Sequence, residues 1–195
     1  MATVAAPYGA EPVGTLSASG SYSGKIRHMP IATTYNTAIF YGDYVKLVAA
    51  GTVEKASFTT TVAAGICGVF VGCAYTDPTT GQMTFAQQWP ASNAATDAVA
   101  YVNDDPQLLC KMQADEAIAQ TGLGNNVAAI MTAGSTAIGR SKNALDGDSI
   151  NTTNTLPLRI IDFVDGPTSA VGDTYTDCLV TYLPGSHAYV TALGV

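Results

Sequence analysis

Positive charge is what this sequence has least of. Eight Lys and Arg face fifteen Asp and Glu, a formal charge of −7, and charged residues of both signs fill only 12% of 195 positions. The basic side chains (Lys25, Arg27, Lys46, Lys55, Lys111, Arg140, Lys142 and Arg159) are scattered, and no window gathers four of them. Proteins that hold nucleic acid or anionic lipid do so with basic stripes that displace counterions. Neither nucleic acid nor a membrane is therefore an expected partner. Cysteine is also sparse. Cys67, Cys73, Cys110 and Cys178 include no C-x-x-C pair, the spacing that metal and redox sites use. Cys67 and Cys73, on one strand, would share a face about 20 Å apart, beyond disulfide reach. All four read as small buried hydrophobes of a reducing compartment, and no metal site is expected.

Long apolar runs are missing too. The first ten residues have neither a basic start nor a sustained apolar stretch, so a secretory signal is not expected. The charge-free segment 57–76 is interrupted by Thr59, Thr60, Thr61, Gly65, Gly68 and Gly72, which dilute it below a spanning helix. It reads as buried strand.

What is present is a high apolar fraction, 47%, in short β-like blocks punctuated by Gly, Pro, Asn and Asp. Residues 1–24, rich in Ala, Gly, Ser and Pro, read as an extended arm that needs another surface, with a boundary to a single β-rich body at 25–195. Strands are expected at 25–31, 44–48, 53–61, 65–75, 83–89, 98–102, 108–113, 127–132, 141–145, 156–164 and 178–182. The run 65–75 is the best central-strand candidate, and 83–89 returns as its hairpin partner after the turn Asp77-Pro-Thr-Thr-Gly. In 108–113, Leu108, Cys110 and Met112 alternate with Leu109, Lys111 and Gln113. Residues 115–120 form the one candidate helix, acidic at its start and followed by Gly122 as a cap. About ten short strands with almost no helix predict an all-β barrel or sandwich.

Chemistry is harder to find. Nucleophilic catalysis needs a base near Ser or Cys, and only His28 and His187 exist, neither near a G-x-S-x-G elbow. Asp104 and Asp105, adjacent on the chain, point to opposite sides of a strand; Asn103-Asp-Asp-Pro reads as turn chemistry. Asp115-Glu116 and Asp146/Asp148 are the other carboxylate pairs, and Asp146-Gly-Asp-Ser lacks calcium-loop spacing. Gly122-Leu-Gly lacks the third glycine of a dinucleotide site. Asn151-Thr-Thr matches a glycosylation acceptor, which carries little meaning without a secretory signal. Trp89 and the ten Tyr are spread out rather than grouped as a stacking platform. The expectation is no catalytic residue, no cofactor and no metal.

One resemblance is specific. Ala32-Thr-Thr-Tyr-Asn-Thr-Ala-Ile-Phe-Tyr-Gly-Asp-Tyr-Val-Lys-Leu resembles the early region of capsid decoration (cement) proteins of tailed bacteriophages. Gly65-Ile-Cys-Gly-Val-Phe-Val-Gly, Tyr101-Val-Asn-Asp-Asp-Pro-Gln-Leu-Leu-Cys-Lys-Met-Gln, and Gly139-Arg-Ser-Lys-Asn-Ala-Leu-Asp followed by Pro157-Leu-Arg-Ile are similar to later segments in the same order. The likeness spans about residues 25–182. It implies a virion structural protein, made in the host bacterial cytoplasm, that binds the outer surface of a phage head. Its implied partners are the major capsid protein and copies of itself, commonly a homotrimer. The acidic balance suits an outer position, since a lining facing packaged DNA would meet like charge. The alternatives are another virion subunit (connector, tail tube or major shell protein) or a β-sandwich glycan-binding module.

Overall fold

The computed structural model describes residues 4–17, 24–59 and 65–191. These carry fourteen strands: β1 (Glu11–Thr15), β2 (Ile26–Pro30), β3 (Ile39–Phe40), β4 (Tyr44–Leu47), β5 (Val53–Lys55), β6 (Ile66–Thr76), β7 (Met83–Ala86), β8 (Gln88–Trp89), β9 (Val99–Asn103), β10 (Leu108–Gln113), β11 (Asn126–Ile130), β12 (Ala144–Asn151), β13 (Leu158–Phe163) and β14 (Asp177–Tyr182). One six-stranded antiparallel sheet runs β1-β10-β14-β13-β11-β12. A second runs β2-β9-β6-β4-β5, with β7 on the far half of β6, and β3 pairs β8 separately. The all-β expectation is met, as a sandwich.

The core explains the pattern. Leu108, Cys110 and Met112 on β10, Cys178, Val180 and Tyr182 on β14, and Leu158 and Ile160 on β13 face Tyr44, Ile66 and Val69 of the second sheet. Alternation in β10 is thus a one-sided strand, as its sequence predicts. The second sheet has another apolar layer on its back, built from Met29, Val45, Cys67, Phe70, Cys73, Tyr75, Trp89 and Val102. Covered on both faces, β6 reads as a continuous apolar run. Two bulges, opposite Val45/Lys46 of β4 and between Phe70 and Gly72 against β9, each reset which side chains point inward. Cys67 and Cys73 consequently end in the same layer, six residues and two reversals apart. Gly68 is required where β6 crosses β9, because a Cβ there would overlap the Asn103 carbonyl oxygen.

Several expectations are corrected. Residues 115–120 form no helix; a 3-10 turn at Gln120–Gly122 stands in their place, with Gly122 inside it rather than capping it. A Cβ at Gly122 would meet Ile118 at 2.7 Å. The 83–89 strand breaks at Gln87, and its halves serve different sheets. The 53–61 strand ends at Lys55, and residues 60–61 of it lie outside the described residues. The strand expected at 141–145 begins at Ala144 and runs through the supposed turn Asp146-Gly-Asp-Ser. That segment is a bulge: Asn126 pairs Asn151 while Ala128 pairs Asp146. The Ser149 hydroxyl bridges the gap, accepting from Ala128 N at 2.8 Å and donating to Asp146 O at 2.6 Å.

The leading segment, read from the sequence as an extended arm, is described over residues 4–17. There it lies on its own chain, with β1 antiparallel to β10. Ala6 N donates to Gln113 Oε1 at 2.8 Å, Tyr8 Oη donates to Asp177 Oδ1 at 3.1 Å, and Ala10 N donates to Gly42 O at 2.9 Å. Gly9 adopts φ +77° against Ser141, where a Cβ has no room. Residues 1–3 and 18–23 lie outside the described residues.

Candidate functional site

The most connected polar centre is one the sequence did not advertise. Gly42-Asp43 turns the chain between β3 and β4, and this turn drops the Asp43 carboxylate into the interior, wholly out of solvent. It accepts from Phe40 N at 2.9 Å, Ser141 Oγ at 2.7 Å and Asn143 Nδ2 at 3.0 Å, and pairs with Lys55 Nζ at 2.9 Å. Asn143 continues the network: its Oδ1 accepts from Thr132 N at 3.0 Å and its backbone O from Gly9 N at 3.2 Å. One carboxylate so ties the leading segment, β5, the β3–β4 turn and the approach to β12. A buried ion that fills its lone pairs in this way fixes geometry. Ser141 Oγ and Asn143 Nδ2 both donate to this carboxylate, so the centre ties four segments of the chain to one buried anion.

A second polar centre lies at the start of β6. Residues 183–191 fold back, Ala188 N donates to Ile66 O at 2.5 Å, and His187 is wholly buried between Tyr182 and Tyr189. Burial pushes its pKa down. Asp104, expected as turn chemistry, is instead buried and ion-paired with Arg27 Nε at 2.5 Å. Its neighbour Asp105 does serve the turn, accepting from Gln107 N at 2.9 Å. His28 is exposed on β2, its ring tilted against Tyr101 at a centroid distance of 4.7 Å.

The other carboxylate pairs, read separately in the sequence, are brought together. The β12 bulge places Asp146 and Asp148 against Asp115 and Glu116, and Gly147 N donates to Asp115 Oδ1 at 3.1 Å. Partial burial, then Asp148 and Asp115, push the Glu116 pKa up; Asp146 rises for the same reasons, with Asp115 its main charged neighbour. Among the described residues no three His, Cys, Asp or Glu side chains have metal-holding geometry. The four thiols are free and buried, with pKa values pushed up to about 12 by burial.

Surface features remain. Open grooves of about 330–380 Å³ include one beside Tyr75, Pro78, Pro90 and Asn93 and one at Tyr41, Gln87 and Arg140. Exposed large apolar side chains gather on sheet edges: Val13 on β1, Leu16 just beyond it, Ile26 on β2, and Met83 and Phe85 on β7. No described helix is long and apolar enough to cross a membrane. No family model, curated protein or solved structure matches the chain.

Proposed function

We propose that this chain is a structural virion protein that binds the outer surface of a tailed-phage head and cements neighbouring major capsid subunits. The observation that carries the reading is the leading segment. It docks on its own sheet through Ala6, Tyr8, Gly9 and Ala10, yet leaves Val4, Val13 and Leu16 exposed. Apolar side chains facing outward from this segment suit burial against another subunit through side-chain packing rather than strand pairing. The net charge of −7 suits a position outside the DNA-filled space. The ordered resemblance across residues 25–182 supports the same role. Apolar area covered at each contact stabilises by about 2.5 kcal/mol per ~100 Å² before the costs of association, and a shell repeats the contact.

Deleting the leading residues would remove β1 and confound the test. The cleaner experiment adds the Val13→Glu, Leu16→Glu double variant to heads lacking the protein. Occupancy and heat resistance of the heads should both fall while the free variant keeps its fold. Unchanged occupancy refutes the role of this edge. Copy number in purified particles separates decoration, many per head, from a connector ring, few per head; a positive glycan array would favour the binding-module alternative.

A further inference from the structure

Among the described residues five strands end one of the two large sheets, β1 and β12 in the first and β2, β5 and β7 in the second; Ile31 bridges Val53 of β5 and Ala114 bridges Leu145 of β12, and all but β7 are guarded. Strand β1 carries Pro12 and a bulge; β2 carries Arg27 and Pro30. Strand β5 is three residues long with Glu54 and Lys55, and β12 carries Asp146, Asp148 and its bulge. Proline, charge, shortness and bulges are the devices by which edges avoid pairing with other chains. Strand β7 has no proline, no charge and no bulge, and among the described residues only β6 pairs with it. Its outward face shows Met83 and Phe85, 59% and 73% exposed.

The carboxylates nearest β7 lie behind its hairpin end, Asp77 beside Gln82 and Asp97 on Thr76, the β6 residue opposite Met83. Residues 78–96 hold no charged side chain, nor do residues 117–139. The two segments adjoin where Gln88 Nε2 donates to Thr136 O at 3.5 Å, which brings a third exposed apolar residue, Ile138, to the same region. The unguarded edge stops at Gln87, whose carbonyl accepts from Tyr41 N at 3.0 Å. In a chain of net charge −7, this edge lets two copies pair with no charged side chain on either strand of the ladder.

We infer that β7 pairs with β7 of a second copy of this chain, antiparallel about a two-fold axis, joining the second sheets of two protomers. Among the described strands of the two large sheets each copy offers one unguarded edge, so the complementary surface is the same edge on another copy, and pairing closes as a dimer instead of growing a filament. Side chains directly opposite in an antiparallel ladder share a face. With Thr84 on the axis, Phe85 of each copy stands against Met83 of the other; with Phe85 on the axis, the two rings meet. A four-residue ladder with three apolar side chains a side falls at the small end of specific interfaces, so the dimer is reversible and forms with concentration. The inference stands independently of the proposed virion role.

Analytical ultracentrifugation of the full chain across a dilution series tests it. The weight-average mass should rise from the chain's 20.0 kDa towards twice that value. Phe85→Lys should abolish the rise with an unchanged melting curve, while Ile26→Lys, placed on a guarded edge, should leave it intact. Thr84→Cys or Phe85→Cys, whichever lies on the axis, should give an intermolecular disulfide on oxidation, the native thiols being buried. A monomer at all concentrations, a trimer, an F85K variant that still dimerises, or failure of both cysteine variants to cross-link would each overturn the pairing. None of these outcomes bears on head binding, which the Val13/Leu16 experiment reads separately.

Discussion

Replacing Asp43 should be among the most damaging single changes in the molecule. Asp43→Ala removes a carboxylate that accepts from Phe40 N, Ser141 Oγ and Asn143 Nδ2 and pairs with Lys55. Ser141 and Asn143 are buried, and a buried donor stripped of its acceptor costs about 1–3 kcal/mol. Lys55 keeps some contact with water, its side chain 17% exposed, so part of its loss is recovered by hydration. The expected total is about 3–5 kcal/mol, the range for breaking a buried pair from one side. For a chain of this length each kcal/mol moves the midpoint by roughly 2–4 °C, giving a fall of about 6–20 °C. Lys55→Met leaves the buried carboxylate without its counter-charge but with three donors, and should cost about 1.5–3 kcal/mol, the weight of a hydrogen bond to a charged group. Asp43→Asn keeps one acceptor oxygen and should lie between. Urea and thermal denaturation followed by circular dichroism, with a reversibility check, measure the series. Because Asn143 O also holds Gly9 N, hydrogen exchange at Gly9 and Ala10 should quicken in D43A before global unfolding. An Asp43→Ala midpoint within 2 °C of wild type, or Lys55→Met worse than Asp43→Ala, would refute this account of the centre.

Three further outcomes follow from the same geometry. Gly68→Ala should destabilise by about 1–3 kcal/mol or more, as overpacking does, because its methyl group overlaps the Asn103 carbonyl where β6 meets β9; chemical denaturation would show it, and a neutral result would mean that crossing is looser. Glu116→Gln should raise the melting temperature at neutral pH. The raised Glu116 and Asp146 pKa values mean that the native state takes up protons more readily than the unfolded chain, so stability falls as pH rises through the native values. The advantage of the Gln variant should therefore vanish as pH drops below 4.5, the ordinary Glu value; a benefit that persists there is not charge relief. Finally, all four cysteines, with thiol pKa values near 12, should react with Ellman's reagent only after unfolding, since the thiolate is the nucleophile; a rapid native reaction would contradict their burial.

How much of this was written locally can be judged element by element. The alternation of Leu108, Cys110 and Met112 announced a strand with one buried face, and the unbroken apolar run around Phe70 announced a strand covered on both. The scarcity of helix signals and the dense turn punctuation announced an all-β chain. Short-range pattern is enough there, because side-chain direction in a strand repeats every two residues whatever lies opposite. Where the pattern is weak, the sequence misled. Glu11-Pro-Val-Gly-Thr has no alternation because an edge strand contributes backbone hydrogen bonds to β10 more than apolar burial, so β1 read as an arm. The acidic start of residues 115–120 suggested a helix, but Ile118 is drawn into the inter-sheet core, and its backbone N–H goes to Thr176 Oγ1 at 3.1 Å.

The polar centres were beyond reach of any local reading. Asp43 meets Ser141 and Asn143 across about a hundred positions, Glu116 meets Asp148 only because a bulge carries it there, and Arg27 finds Asp104 from the neighbouring strand. Composition and periodicity settled the class of structure and which faces are apolar, since these follow from properties each residue carries alone. Strand order, the burial of His187 and Asp104, and the difference between four guarded edges and β7 were decided by the tertiary structure. They depend on which strands become neighbours, and that choice is made by the summed packing of two sheets across distant parts of the chain.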